Sequence, residues 1–353
     1  MSEERPFPGE PEIRGDDEME EFPDYFLPSY LGATTFQKLP YCPDDGSLVK
    51  ARPEVAIVGA PLDDGTSNRP GARFGPRAIR QATYHSGDLW SIQLETEVLS
   101  KVRAVDAGDA PIVPSRLERA HRVIREKVKG VASAGAIPIV LGGDHSVTYP
   151  SVAAVSEIQG PRKVGVVHFD AHADTGIEVW GSLLSHGTPM RKLITEGWVE
   201  GRNFVQVGLR GYWPERDTFE WMQEQGMRWH RMVEIEERGA EDVIDRAIGE
   251  ALDGPDCIYL SIDIDVADPS AAPGTGTPEP GGMLARELLR AVRRIVSRVT
   301  LVGMDVVEVS PPYDHAELTA TLAHRCVLET NSSRKIILAE ENRKIFLKAS
   351  KLL

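Results

Sequence analysis

The sequence predicts an α/β fold, a mostly parallel sheet covered by helices on both faces. Three observations carry this. Short β-branched runs recur along the chain, longer amphipathic stretches separate them, and several runs stop at an Asp or a His. The strand candidates are 55–60 (VAIVGA), 102–108 (VRAVDAG), 137–143 (IPIVLGG), 164–170 (VGVVHFD), 203–210 (NFVQVGLR), 257–263 (CIYLSID) and 299–309 (VTLVGMDVVEV). Near-continuous apolar runs of this kind suit strands buried on both faces. Between them apolar residues return at helical spacing, most plainly over Arg116–Ala134, Ala240–Leu252 and Ala285–Ser297. Alternation of strand and helix implies crossover connections, and crossovers make neighbouring strands parallel.

Composition narrows the class of protein. The chain has 353 residues, 41% of them hydrophobic and 27% charged, which is ordinary globular usage. It lacks the run of about 18 apolar residues that a transmembrane helix needs. Its 40 basic and 54 acidic residues leave a net charge of −14, which argues against a nucleic-acid or anionic-membrane partner. Residues 1–30 hold ten acidic and two basic side chains, a net of −8. This segment is expected to be an acidic, partly disordered N-terminal arm. Residues 31–353 are expected to form one domain. Met1 to Asp17 has neither the basic nor the apolar region of a signal peptide. The three cysteines, Cys42, Cys257 and Cys326, show no metal or disulfide spacing and fit buried thiols in a reducing cytoplasm.

In parallel sheets, ligands bind beyond the carboxyl ends of the strands. Here 140-VLGG-143 runs into Asp144 and His145, 164-VGVVHF-169 into Asp170, and 257-CIYLSI-262 into Asp263. The segment 170-DAHAD-174 alternates Asp170, His172 and Asp174, and 263-DID-265 adds Asp263 and Asp265. Any one of these alone would read as a solvated turn. Three of them, each closing a buried strand, point to one shared centre of two His and four Asp. That donor set suits Mn²⁺ or a similar divalent ion and lacks the thiolates of structural zinc. Without a cation, the converging carboxylates would repel and their pKa values would rise.

Taken together, 142-GGDHS-146, 168-HFDAHAD-174 and 261-SIDIDVADPSAAPGTGTPEPGG-282 resemble the signature blocks of the ureohydrolases, that is, arginases, agmatinases and their relatives. The blocks 185-SHGTPMR-191 and 305-DVVEVSPPYD-314 agree. The block 65-GTSNRPGARFGPRAIR-80 resembles the agmatinase-like branch, which includes guanidinobutyrase and proclavaminate amidinohydrolase. The resemblance spans about Val55 to Glu329. It implies a three-layer α/β/α sandwich, usually assembled as homo-trimers or homo-hexamers, with hetero-oligomers also open. It implies two divalent ions, Mn²⁺ in most members and Ni²⁺ in some. His145, Asp170, Asp174 and Asp263 would bind the first ion; His172, Asp170, Asp263 and Asp265 would bind the second. His186 matches the family's proton-shuttling position and Glu308 its guanidinium-binding one. The catalytic set is then His186, Glu308 and the shared ligand Asp170.

The chemistry is consistent with these assignments. A guanidinium carbon is a poor electrophile, so attack needs water activated by cations. The leaving amine must be protonated, which a nearby His can do. A buried Glu in the Val-rich 305-DVVEV-309 strand would be costly unless it met a cation such as the substrate. The Gly/Pro-rich 273–282 loop is expected to shape the pocket; Trp180 and Trp213 suit either pocket walls or core packing, and Asn68, Arg69 and Arg73 either the entrance or a subunit contact. His168 is expected to be a packed or supporting histidine rather than a ligand.

The resemblance implies a hydrolase acting on C–N bonds in linear amidines, and the cysteine usage leads us to expect it in the cytoplasm. Its substrate would be a small cationic guanidino compound, released as an amine plus urea. Arginases carry an Asn two places after the last Asp of the DAHxD block; Gly176 stands there, which lowers the case for L-arginine. No Lys or Arg lies in 175–185, and Glu178 would tolerate an amine. Agmatine is thus favoured over guanidinobutyrate. A nickel-dependent hydrolase of guanidine or an alkylated guanidine is the alternative, as is a subunit of a hetero-oligomeric ureohydrolase. A one-zinc deacetylase would need fewer ligands than the six present.

Overall fold

Among the described residues, eight strands pair side by side, every pair parallel, in an order that starts at 104–109 and runs through 55–60, 137–142, 301–307, 257–263, 164–169 and 204–209 to 228–231. In chain order the strands are β1 (Val55–Ala60), β2 (Trp90–Ser91), β3 (Thr96–Glu97), β4 (Ala104–Asp109), β5 (Ile137–Gly142), β6 (Val164–Phe169), β7 (Phe204–Leu209), β8 (Arg228–Arg231), β9 (Cys257–Asp263) and β10 (Leu301–Val307). β2 and β3 form a separate hairpin. The helices are α1 (Asp45–Ala51), α2 (Gly75–Gln81), α3 (Leu117–Ser133), α4 (Thr148–Gln159), α5 (Pro189–Thr195), α6 (Arg216–Glu224), α7 (Met232–Arg238), α8 (Ala240–Ala251) and α9 (Ala285–Val296), with a further helical stretch over 318–331. This computed structural model describes residues 29–85, 89–99 and 102–331. The acidic arm expected over 1–30 therefore lies outside the described residues except for Ser29 and Tyr30.

The alternation of strand side chains builds two cores. Ile57, Ile139, Val167, Ile258 and Leu260 face α8, α9 and the 318–331 helix. Val58, Val140, Val166 and Tyr259 face α3 and α4. Helix α3 buries Ala120, Ile124, Val128 and Val131, the stripe expected of a helix lying on a sheet. Helix α9 does the same with Leu288, Ala291, Val292 and Ile295. These layers form the α/β/α sandwich, and all three cysteines are buried thiols as expected. No helix among the described residues is long and apolar enough to cross a membrane.

Strand register positions the site. β5, β10, β9 and β6 are adjacent in the sheet although they are far apart in sequence. Val307 pairs with Asp263, Val306 with Leu141, and Phe169 with Ile262, so the four carboxyl ends are nearly level. One strand expectation needs correction. The run expected to 309 stops pairing at Val307, and Glu308 turns off the strand end in the left-handed region (φ 62°). Glu308 thus stands on the rim of the sheet rather than inside it.

Gly143 makes the rim compact. A Cβ there would stand 1.8 Å from the Leu62 carbonyl oxygen, so the 143–145 turn and the 62–65 loop can meet only at glycine. By contrast, a Cβ at Gly249 in α8 would meet nothing within 4 Å. Gly143→Ala is expected to lower unfolding free energy in urea by at least about 2 kcal/mol, an overpacking effect. Gly249→Ala is expected to raise it by roughly 0.5–1 kcal/mol. Equal effects at the two positions would contradict this account of the rim.

Candidate metal centre and active site

Each of the four central strands delivers polar groups to one point. β5 leads to Asp144 and His145, β6 to Asp170, His172 and Asp174, β9 to Asp263 and Asp265, and β10 to Glu308. His145 Nδ1 lies 3.0 Å from an oxygen of Asp170, 3.1 Å from one of Asp174 and 3.0 Å from one of Asp263. His172 Nδ1 lies 3.0 Å from Asp265 Oδ2 and 3.4 Å from Asp170 Oδ1. The structure therefore brings together all six residues expected to be ligands. Asp174 sits at φ 52°, a costly backbone geometry of the kind that gathers at functional sites.

The donor set fits divalent ions. His145 Nδ1 is buried and makes no hydrogen bond, although three carboxylate oxygens lie within 3.1 Å of it. One N–H could serve only one of them. Donor atoms about 3 Å apart are what an octahedral ion with bonds of about 2.1 Å requires of its neighbouring ligands. Asp170, His172 and Asp265 form a second group whose donor atoms are close enough to hold an ion.

The electrostatics carry the same demand for positive charge. Burial opposes a charge on His145, but Asp170, Asp174 and Asp263 hold its imidazole well above the usual value. Burial is likewise outweighed at His172 by Asp265 and Asp170. Burial pushes Asp263 well above the carboxylate range, and Asp265 and Asp170 add to the shift. Asp170 goes the other way: its burial is outweighed by His145, His168 and His172, which hold it well below the range.

The remaining expected residues surround this centre. His186 Nδ1 lies 3.0 Å from Glu308 Oε1, which also accepts the His145 backbone N–H at 2.8 Å. His186 Nε2 lies 2.7 Å from Ser67 Oγ, which can accept its proton, and 3.2 Å from Ser67 N. Glu308 Oε2 is buried and makes no hydrogen bond. His168 Nε2 is 3.0 Å from Asp170 Oδ2. The Gln206 side-chain amide, held by the Ala173 carbonyl at 2.5 Å, faces His168 Nδ1 at 3.2 Å. The amide nitrogen can only donate, so the His168 proton belongs on Nε2, toward Asp170. Arg73 is tied to Asp63 and Asp64 and so serves the 62–73 loop. Asn68 donates to the Gly276 carbonyl and joins that loop to the 273–282 loop. Sequence reasoning left Asp144 without a role. It is fully buried, accepts from Gly65 N at 2.8 Å, and is pushed up to about 6 by burial and by Glu308.

A cavity of about 220 Å³ opens on the centre, lined by Ser67, His172, Asp174, His186, Asp263 and Thr277 at its polar end. Val179, Trp180, Gly187 and Trp213 also line it, with Trp213 edge-on to the His172 ring at 6.3 Å, so both tryptophans are lining rather than core residues. Trp180 and Gly181 (φ 53° and 79°) make a tight turn closed by mutual Val179–Ser182 backbone hydrogen bonds, and Trp180 is 88% exposed. A bulky residue with positive φ is a strained choice for such a turn.

An all-parallel α/β sandwich with a His/Asp centre at its strand ends defines a metal-hydrolase class of protein. The chain belongs to the arginase family, whose model matches residues 53–331. That family comprises hydrolases of C–N bonds in linear amidines. The chain is 39% identical over 310 residues to proclavaminate amidinohydrolase of Streptomyces clavuligerus, covering 86% of this chain and 94% of that protein. The structure of that enzyme superposes with a TM-score of 0.80 at 37% identity, over 88% of this chain and all of the other. Guanidinopropionase of Pseudomonas aeruginosa is 40% identical over 315 residues, covering 86% of this chain and 92% of that protein. The mitochondrial agmatinase of Gallus gallus is 39% identical over 280 residues, covering 78% of this chain and 79% of that protein.

The His186–Glu308 pair makes a pH-dependent contribution to stability. Burial disfavours the imidazolium, but Glu308 outweighs it and raises His186 to about 9. A folded pKa above the unfolded value of about 6.5 means stability that is full below that pH and lost as pH rises through about 9. In metal-free protein, the stability gap between the wild type and His186→Gln is therefore expected to be larger at pH 6 than at pH 9.5, by urea unfolding. A gap that grows with pH would contradict the pairing.

Proposed function

We propose that this chain is a binuclear-metal amidinohydrolase that converts a small guanidino compound with an amine or uncharged tail into an amine plus urea. The observation that carries the reading is His145 Nδ1, unpartnered among three carboxylate oxygens at 3.0–3.1 Å. His145, Asp170, Asp174 and Asp263 would hold one ion; His172, Asp170, Asp263 and Asp265 would hold the other. Carboxylates suit Mn²⁺ and imidazoles suit Ni²⁺, with Mn²⁺ the first choice for an oxygen-rich set. When bound, the ions supply water that is deprotonated near neutral pH.

The chain's own groups do the rest. The free Glu308 Oε2 accepts a guanidinium N–H, a charge-assisted bond that orients the substrate carbon. The Glu308 carboxylate also fixes the His186 Nδ1–H. That leaves His186 Nε2, beside Ser67 Oγ, as the atom that gives its proton to the leaving amine.

Among the described residues, those lining the cavity include no Lys or Arg. Arg73 is engaged by Asp63 and Asp64, and Arg210 by the backbone carbonyls of Asp265 and Glu279. A carboxylate tail would meet no cation there, whereas an ammonium tail would meet indole faces. This favours agmatine over 4-guanidinobutyrate. Substrates as compact as guanidine or an alkylated guanidine remain the second candidates, because the cavity is small.

Urea release is the direct test, with agmatine, 4-guanidinobutyrate, 3-guanidinopropionate, L-arginine, guanidine and metformin, each with Mn²⁺ and with Ni²⁺. The expected result is a kcat/KM for agmatine at least roughly tenfold above that for 4-guanidinobutyrate, about 1.4 kcal/mol. Urea from none of the six would overturn the reading. His172→Ala and Asp265→Asn are expected to abolish turnover and keep the fold by circular dichroism. Trp180→Ala is expected to raise KM for agmatine roughly 3- to 30-fold, the range of a cation–π contact.

A further inference from the structure

Beneath the centre, one row of the sheet is polar. Asp305 of β10, Ser261 of β9, His168 of β6 and Gln206 of β7 are register neighbours, and all four are fully buried. Polar groups are costly there unless each is satisfied, so the donors and acceptors can be followed one by one. Asp305 Oδ2 accepts from Thr148 Oγ1 and from Tyr259 OH, both at 2.9 Å. Asp305 Oδ1 accepts from Ser261 Oγ at 2.7 Å. Ser261 has a single hydrogen, and Asp305 takes it. The Ser261 oxygen can then only accept from His145 Nε2, which lies 3.0 Å away.

That commits the Nε2–H of His145 and leaves Nδ1 as the atom that faces Asp170, Asp174 and Asp263. We infer that Asp305, acting through Ser261, is a positioning residue that fixes the His145 tautomer and so sets the centre's affinity for divalent ions. The inference rests on the metal reading above. Among the described residues Asp305 hydrogen-bonds to Thr148, Tyr259 and Ser261 and to none of the expected ligands, so its hydrogen-bonded route to His145 runs through the serine.

The geometry also decides what Asp305→Asn would do. Two hydroxyls donate to Oδ2, so the Asn carbonyl belongs there and its NH₂ turns to Ser261. The Ser261 hydrogen would then point at His145 Nε2 and drive the imidazole proton onto Nδ1, where it blocks an ion.

The test is a titration of metal-free full-length chain with Mn²⁺, followed by calorimetry, with circular dichroism as the check on folding. Asp305→Asn and Ser261→Ala are each expected to weaken Mn²⁺ binding roughly 10- to 100-fold, the usual effect of losing a partner that orients a ligand. The double variant should bind no more weakly than Ser261→Ala alone, and Ser261→Thr, which keeps the hydroxyl, should stay near the wild type. Wild-type affinity in Asp305→Asn, or a full extra loss when Asp305→Asn is added to Ser261→Ala, would overturn the relay. If Asp305→Asn does not fold, the Ala and Thr variants at 261 decide, and equal affinity in both overturns it. No Mn²⁺ binding by the wild type would overturn the metal reading itself, and the relay with it.

Discussion

Four aspartates meet at the ends of adjacent buried strands, and their mutual repulsion is the constraint on which the rest of this structure depends. Like charges about 5 Å apart repel by about 3 kcal/mol even at an effective dielectric of 20, and several such pairs are present. The imidazoles of His145 and His172 are drawn toward the carboxylates and held well above their ordinary pKa. Asp263 is pushed up by burial and by its acidic neighbours. A fold selected for stability alone would not build such a cluster. A fold that must hold divalent cations in a fixed place has to, and its electrostatic cost is met when the cations bind.

The supporting architecture follows from that demand. Level strand ends bring residues distant in sequence to one rim. Gly143 lets two loops close against each other there. The strained backbone at Asp174 and Glu308 aims carboxylates that a regular strand would point elsewhere. The polar row through Asp305, Ser261, His168 and Gln206 places hydrogen-bond partners on the ring nitrogens of His145 and His168 that face away from the centre. The cavity of about 220 Å³ that opens on the centre is lined by both carboxylates and indoles.

Much of this was legible in the sequence, for physical reasons. β1 begins and ends where its apolar run does, because a strand buried on both faces has little room for polar residues, and β9 keeps its expected span with the buried Ser261 inside it. Helices α3, α8 and α9 announce themselves by a one-sided stripe. Helix α4 does not, since Thr148 and the run from Pro150 to Ser156 are buried on all sides and show no period. β8 was hidden for the opposite reason: RWHR is a four-residue edge strand, charged and half exposed. The six ligand candidates could be read because each closes a strand. Glu308 was read one step too deep, because its Val-rich run continues past the point where pairing stops. Asp305 and Gln206 could not be assigned at all. Their meaning depends on which strands are neighbours, and the order β10-β9-β6-β7 is not written in the linear chain.

The central claim is that these carboxylates are gathered to hold two cations, and anomalous X-ray scattering from crystals of the Mn²⁺-loaded protein tests it most directly. The account predicts two manganese peaks per chain, one among His145, Asp170, Asp174 and Asp263, the other among His172, Asp170, Asp263 and Asp265. A single peak, or manganese bound away from these residues, would contradict it.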